Sequence, residues 1–131
     1  MISNSEASQQ LNFEIHLKRI FEPASDKDGF RILVDSLWPR GLKKREANID
    51  LWLRDAGPSP ELRKMFNQDL QQWDEFVADY IFQLRKNKKV AKQLISLIKT
   101  HRKVSLLYSS DNKDYNSAVV LKRFLVRSIG A

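Results

Sequence analysis

The feature that most constrains the fold is a pair of short apolar runs, Phe30–Val34 and Val104–Tyr108, that flank a long segment of helical periodicity. Continuous apolar runs of this length are typical of strands that are buried on both faces of a sheet. Because a helical segment between two strands is the connection that parallel pairing requires, we expect these two strands to be parallel neighbours. The sequence therefore predicts an α/β fold, a small Rossmann-like layered domain whose short, mostly parallel sheet has helices packed on it.

A further strand is predicted near the start of the chain, where apolar and polar residues alternate over Phe13–Phe21. The segment that follows, Glu22–Gly29, is rich in turn-forming residues and too short for a standard helical crossover. We therefore expect this first strand to form a hairpin with Phe30–Val34.

The strongest helical pattern is one apolar stripe at the spacing of an amphipathic helix. Its members are Leu70, Trp73, Phe76, Val77, Tyr80, Ile81 and Leu84. Further helices are expected at four places: from Asn48 or Asp50 through Leu53, after Ser59–Pro60, over Lys88–Thr100 and over Ser117–Arg127.

The length of 131 residues is that of one domain, and no linker divides the chain. Residues 1–12 are polar, so we expect a flexible tail there and a single domain over residues 13–131. The start of the chain resembles no secretory signal, and no apolar stretch is long enough to span a membrane. Together with the absence of cysteine, these features favour a cytoplasmic protein.

Residue types that hold metals and nucleotide cofactors are sparse in this sequence. There is no cysteine, and the two histidines, His16 and His101, lie far apart without carboxylates at ligand spacing. We therefore expect no metal site. The four glycines form no phosphate-binding motif, so no cofactor is expected either.

Polar segments follow both central strands, at 35–41 and 109–116. In open α/β sheets, ligands bind beyond the carboxyl ends of the parallel strands. If the two strands are neighbours, Asp35, Arg40, Asp111 and Asn116 can meet at one edge of the sheet. The sequence therefore predicts a site for a polar or anionic small molecule at this edge.

Each candidate side chain has a chemical reason to belong to that site. Carboxylates suit proton transfer, whereas arginines, polar side chains and a tryptophan suit ligand contact. The predicted catalytic residues are Asp35 and Asp111, and the predicted ligand-binding residues are Arg31, Trp38, Arg40, Ser109 and Asn116.

Structural roles are the alternative for the same residues. Asp35 would then hold local backbone or pair with Arg40 or Arg31, and Asn116 would cap the last helix. Whether the domain is an enzyme is left open by these patterns.

A basic run supports a different class of function. Residues 85–103 carry eight lysines and arginines and no acidic residue, within a chain whose formal net charge is +7. This alternative is a nucleic-acid or protein-interaction module. Because the run has no aromatic residues for base stacking, we expect only weak, nonspecific nucleic-acid binding.

Four blocks of sequence, in order and spacing, carry a resemblance to a known family. They are Lys18–Pro23, Asp28–Gly41, Leu51–Leu53 with Ala56–Arg63, and Leu106–Tyr108 with Asn116–Leu121. Across Ile15–Leu125 the chain resembles the YeaO-like group of bacterial and archaeal domains of unknown function. The resemblance implies an α/β fold and supplies no established activity.

Two departures from the pattern of that group bear on activity. The group usually has an arginine where this chain has Ser36, and a His-Asp pair where this chain has Gln68-Asp69. If that arginine and histidine are catalytic in relatives, this chain is a weakened or altered version. Members are sometimes labelled uroporphyrin-III methyltransferases, but this chain is too short for that two-domain enzyme and lacks a glycine-rich cofactor loop.

Overall fold

The sheet has four parallel strands, seen in a computed structural model that describes residues 12–67 and 69–130. The strands are β1 (Glu14–Arg19), β2 (Phe30–Leu33), β3 (Leu51–Trp52) and β4 (Lys103–Tyr108), in the spatial order β1-β4-β2-β3. The predicted pairing of the two apolar strands is confirmed, since β2 and β4 are parallel neighbours with Leu33 opposite Leu107. The α/β fold class is therefore as the sequence predicts.

Five α-helices accompany the sheet within the described residues. They are α1 (Lys44–Ala47), α2 (Pro60–Phe66), α3 (Trp73–Lys86), α4 (Lys88–His101) and α5 (Ser117–Gly130), with 3-10 turns at Asp26–Asp28, Arg54–Ala56 and Leu70–Gln72. Polar side chains cap three of these helices. At the start of α2, for example, the Ser59 hydroxyl accepts the Leu62 N–H, and Pro60 takes the first helical position. No helix in the described part of the chain is both long and apolar enough to cross a bilayer.

The predicted hairpin between the first two strands is wrong. Strand β4 lies between β1 and β2 and pairs in parallel with both. The connection over residues 20–29 is too short for a helical crossover, but an extended chain of ten residues reaches roughly 33 Å. This reach exceeds the path that the connection must cover, which runs back along a four-residue strand and across two strand spacings of about 4.8 Å each. A connection of this length therefore excludes a helical crossover, but it allows β1 and β2 to run parallel with another strand between them.

The predicted short helix through Leu53 is also wrong. Residues Leu51–Trp52 form β3, and the short helix α1 ends earlier, at Asn48 in the left-handed conformation. The Asp50 carboxylate accepts the Arg31 N–H at 2.8 Å, and the Asp50 N–H donates to the Arg31 carbonyl, also at 2.8 Å. These two bonds hold the segment beside β2, so Asp50 starts a strand here rather than a helix.

Helices α2 to α5 pack on one face of the sheet and form the main core. The stripe predicted for the long helix is largely confirmed, because Phe76, Tyr80 and Leu84 of α3 are buried in that core, although Leu70 is exposed. Connecting segments cover the other face, where Leu33 and Leu107 pack with partly buried Trp38 and Trp52. The two central strands are thus covered on both faces of the sheet, which leaves the edge beyond their carboxyl ends as the place for a site.

The predicted tail, residues 1–12, lies outside the described residues except for Asn12. Strand β1 begins two residues later, at Glu14, whose N–H donates to the Arg102 carbonyl at 2.7 Å.

Candidate functional site

A cleft of about 430 Å³ opens at the carboxyl ends of β2 and β4. Five predicted site residues line it together: Asp35, Trp38, Arg40, Ser109 and Asn116. The strand ends bring these residues together because Val34 and Tyr108 leave the sheet side by side, with the Val34 N–H bonded to the Leu107 carbonyl. The convergence of polar groups from both segments in one cleft is what parallel strand ends predict.

Asp35 joins the two segments at the base of this cleft. Its Oδ2 accepts both the backbone N–H of Ser109, at 3.0 Å, and the hydroxyl of Ser109, at 2.6 Å. Burial raises the pKa of Asp35 above its ordinary value, and the two hydrogen bonds from Ser109 oppose that rise without cancelling it. The carboxylate therefore holds the two strand-end segments together, and it is also the group in the cleft best suited to bind a proton.

The loop after β2 forms one wall of the cleft. The Trp38 indole donates to the Leu42 carbonyl at 2.7 Å and meets the Trp52 ring edge-on, with ring centroids 5.3 Å apart. Gly41 follows with a φ of 82°, a conformation that few other residues adopt. This packing fixes the turn that carries Arg40, whose side chain is exposed and makes no ion pair within the described residues.

Asn116 caps the last helix, as its alternative structural role predicts. Its Oδ1 accepts the Val119 N–H at 3.1 Å, and its amide nitrogen donates to the Asn112 carbonyl at 2.8 Å. The side chain is buried, and these two bonds satisfy both of its polar ends. What it presents to the cleft is the start of α5, where Ser117 also lines the wall.

Arg31 is not brought to the cleft. It alternates with Ile32 along β2, so its side chain lies on the other face of the sheet, buried against Asp28 with 2.5 Å between Nη1 and Oδ2. Its Nε and second terminal nitrogen donate to the carbonyls of Asn48 and Ala47. All three nitrogens of this guanidinium donate hydrogen bonds within the protein, and these bonds hold the loop that carries α1.

Asp111 also lies outside the cleft. Its side chain is 95% exposed, and its Oδ1 accepts Nη2 of Arg19 at 2.6 Å. It borders a neighbouring shallow depression, which shares Ser109 and Ser110 with the cleft. The two predicted catalytic carboxylates therefore face different spaces.

Arg63 is the residue of the cleft that the sequence analysis missed. It lies on α2, one helical turn before buried Phe66, and both residues line the cleft. Its Nε is buried without a hydrogen-bond partner, and no ion pair holds its guanidinium within the described residues. An arginine three residues before a core phenylalanine shares the inward face of the helix, which is the signal that could have found it.

Within residues 12–67 and 69–130, no group of three or more metal-ligating side chains comes together. His101 lies flat on the Phe30 ring with centroids 3.9 Å apart, and His16 is near Glu14 on β1. Neither histidine is in the cleft.

Of the two departures from the family pattern, Ser36 lies at the rim of the cleft and donates its hydroxyl to the Pro58 carbonyl at 2.6 Å. A side chain as short as serine fits there because Gly57 passes close by. Gln68 lies outside the described residues.

The fold is a small, all-parallel α/β domain with a cleft at the carboxyl ends of its central strands. The chain belongs to the family described as the inactive DUF488-N3 subclade, whose model matches residues 14–130. The uncharacterized protein YeaO of Escherichia coli (strain K12) is 40% identical over 111 residues, which are 85% of this chain and 96% of that protein. The YeaO-like resemblance is thereby confirmed.

Two mycobacterial relatives match a shorter part of the chain. They are the uncharacterized proteins Mb3100c of Mycobacterium bovis and Rv3073c of Mycobacterium tuberculosis (strain H37Rv). Each is 35% identical over 66 residues, which are 50% of this chain and 56% of that protein. No solved structure matches the chain.

Proposed function

We propose that the strand-end cleft binds a small organic anion, held by Arg63 and Arg40. The observation that carries the proposal is the presence in one cleft of two arginines without an ion-pair partner among the described residues. The start of α5 borders the same space, and the positive end of a helix dipole favours an anion there.

The buried Nε of Arg63 gives this proposal an energetic basis. A buried donor that is left unpaired costs about 1–3 kcal/mol, and hydrogen bonds to charged groups contribute about 1.5–3 kcal/mol. An anion bound by a guanidinium that turns this nitrogen toward the cleft would supply the missing acceptor and recover this cost on binding. Phe66, Phe76 and Tyr108 line the cleft beside Arg63, so the ligand would carry an apolar body next to its charged group.

We favour ligand binding without catalysis as the function of the cleft. The description of the family as an inactive subclade supports it. Ser36, which stands where the YeaO-like resemblance implies an arginine, is consistent with it. The proton-transfer role of Asp35 and Asp111 stays a prediction. Since Asp111 borders a different depression, Asp35 alone would serve that role inside the cleft.

Calorimetric titration tests the proposal with phenyl phosphate, benzoate and inorganic phosphate as probes. We expect saturable binding of at least one organic anion, and a loss of tenfold or more in the variant Arg63→Met, which corresponds to about 1.4 kcal/mol or more. The matched control is Lys64→Met, which removes the same charge from the next, exposed position of α2.

The two variants separate a specific site from general attraction to a basic protein. If none of the probes binds saturably, or if Arg63→Met and Lys64→Met weaken binding equally, the proposal is wrong. Arg40→Met should give an intermediate loss, because its exposed guanidinium is more strongly screened by solvent.

A second candidate function is polyanion binding by the basic run at 85–103. The observation that favours it is the outer surface of α4, where Lys88, Lys89, Lys92 and Lys99 are exposed and no acidic residue occurs in the helix. Nucleic-acid affinity that falls steeply with salt and does not depend on sequence would support this candidate as a nonspecific activity. Undetectable binding even at low salt would dismiss it.

A further inference from the structure

A second depression, of about 590 Å³, adjoins the cleft on the other side of Arg63. The two spaces share five lining residues, which are Ser36, Leu37, Trp38, Pro58 and Arg63. Trp52 and Arg54 line the second depression only, whereas Phe76 and Tyr108 line the cleft only. Arg63 thus stands at the junction of two spaces with different walls.

The boundary between the two spaces is built from fixed backbone. The Ser36 hydroxyl bonds the Pro58 carbonyl, and a Cβ placed on Gly57 would lie 2.5 Å from the Ser36 nitrogen. Because these two backbone segments touch, they form a low ridge rather than a mobile flap. A ligand group bound at Arg63 would sit over this ridge and face both spaces.

Both spaces have apolar side chains in their walls, although the rings of the cleft are at most 5% exposed. The cleft has the rings of Phe66, Phe76 and Tyr108 in its wall. In the second depression the Arg54 guanidinium lies 4.3 Å from the centre of the Trp52 ring, so a planar layer is already formed there. Planar groups stack on guanidinium and aromatic surfaces, and this suits a ligand with a planar arm in the second depression and an apolar arm in the cleft.

We infer that the anion of the proposed ligand is an internal phosphodiester, with one organic arm in the cleft and the other in the second depression. This inference rests on the proposed function, since it assumes an anion at Arg63. A guanidinium fork binds two oxygens of one anion. A phosphodiester offers two free oxygens to the fork and still carries two substituents, whereas a carboxylate or a phosphate monoester carries one.

The three tryptophans allow this inference to be tested by NMR. Trp38 lines both spaces, Trp52 lines only the second depression, and Trp73 lines neither. Their indole N–H signals can be followed while the protein is titrated with phenyl phosphate, a monoester, or with diphenyl phosphate, a diester. The monoester should shift the Trp38 signal and move the Trp52 signal only slightly, through the bond from the Trp52 N–H to the Asp35 carbonyl. The diester should shift both signals, give intermolecular NOEs from its second ring to Trp52, and bind at least tenfold tighter. The Trp73 ring packs on Phe66 and Phe76, so its signal reports on the wall of the cleft and should respond equally to both probes.

The outcomes separate this inference from the proposed function. If phenyl phosphate binds through Arg63 but diphenyl phosphate binds no tighter or gives no NOE to Trp52, the diester inference is wrong and the proposed function stands. If neither probe binds and Arg63→Met has no effect, both fail. If the diester shifts Trp52 in the wild type and no longer does so in Arg63→Met, the inference is supported.

A further titration distinguishes two sources of the same chemistry. A dinucleoside monophosphate presents one phosphodiester, and a longer single strand presents many. Equal affinity for both, with little salt dependence, would indicate a free small molecule. Tighter binding of the strand, with a steep salt dependence, would indicate a nucleic-acid strand as the source of the phosphodiester.

Discussion

Replacing Arg63 by methionine is expected to stabilise the unliganded protein while it weakens anion binding at least tenfold. The Arg63 Nε is buried and has no hydrogen-bond partner within the described residues. An unpaired buried donor costs about 1–3 kcal/mol, and methionine removes that donor while it keeps a long apolar side chain at a helical position. The net gain is expected to be about 1–2 kcal/mol, since some packing of the arginine stem is lost.

The expected gain is large enough to measure by thermal unfolding. For 131 residues, the unfolding entropy per residue converts 1 kcal/mol into about 4 °C, so Tm should rise by about 4–8 °C. Chemical denaturation should show a higher midpoint with an unchanged slope. The control Lys64→Met, at an exposed position, should stay within about 0.5 kcal/mol of the wild type. A destabilised Arg63→Met would mean that Arg63 serves the fold, and would refute the reasoning.

Three further predictions concern the framework of the cleft. Phe76→Ala should lower the free energy of unfolding by about 3–5 kcal/mol, because Phe76 is 1% exposed, and a loss well under 1 kcal/mol in denaturant unfolding would contradict its place in the core. The raised pKa of Asp35 means that the folded state holds its proton more tightly, so stability from this group is present below its ordinary value of 3.8 and is lost as pH rises through the raised pKa. Asp35→Asn should lack this part of the pH dependence, and unfolding curves that run parallel for both proteins at all acidic pH values would show that the shift is absent. Gly57→Ala should cost about 1–3 kcal/mol, since its Cβ would lie 2.4 Å from the Ser36 hydroxyl, whereas Gly130→Ala meets no atom within 4 Å and should cost nothing.

The sheet edge that carries the site was predictable because a long helical connection almost forces parallel pairing. The same logic failed for β1, where the length of the link was used as evidence for a hairpin. Sequence length limits how far a connection reaches, but it does not say which strand lies between two others. The insertion of β4 between β1 and β2 depends on long-range pairing that no local pattern encodes.

The candidate residues divide in a similar way. Asp35, Arg40 and Ser109 follow the strand ends, so their place in the cleft comes from topology alone. Arg31 lies inside β2, and the alternation of side chains along a strand places it opposite Ile32, away from the helices and from the cleft. Arg63 was missed because its position depends on how α2 packs against the strand ends, which is a tertiary property.

A crystal soaked with phenyl phosphate is the most direct test of an anion site in the cleft. We expect the phosphate group within hydrogen-bond distance of the Arg63 guanidinium, close to Arg40 and the start of α5, with the phenyl ring inside the cleft. Density for the phosphate on the exposed lysines of α4 alone, or an empty cleft at saturating probe, would contradict it.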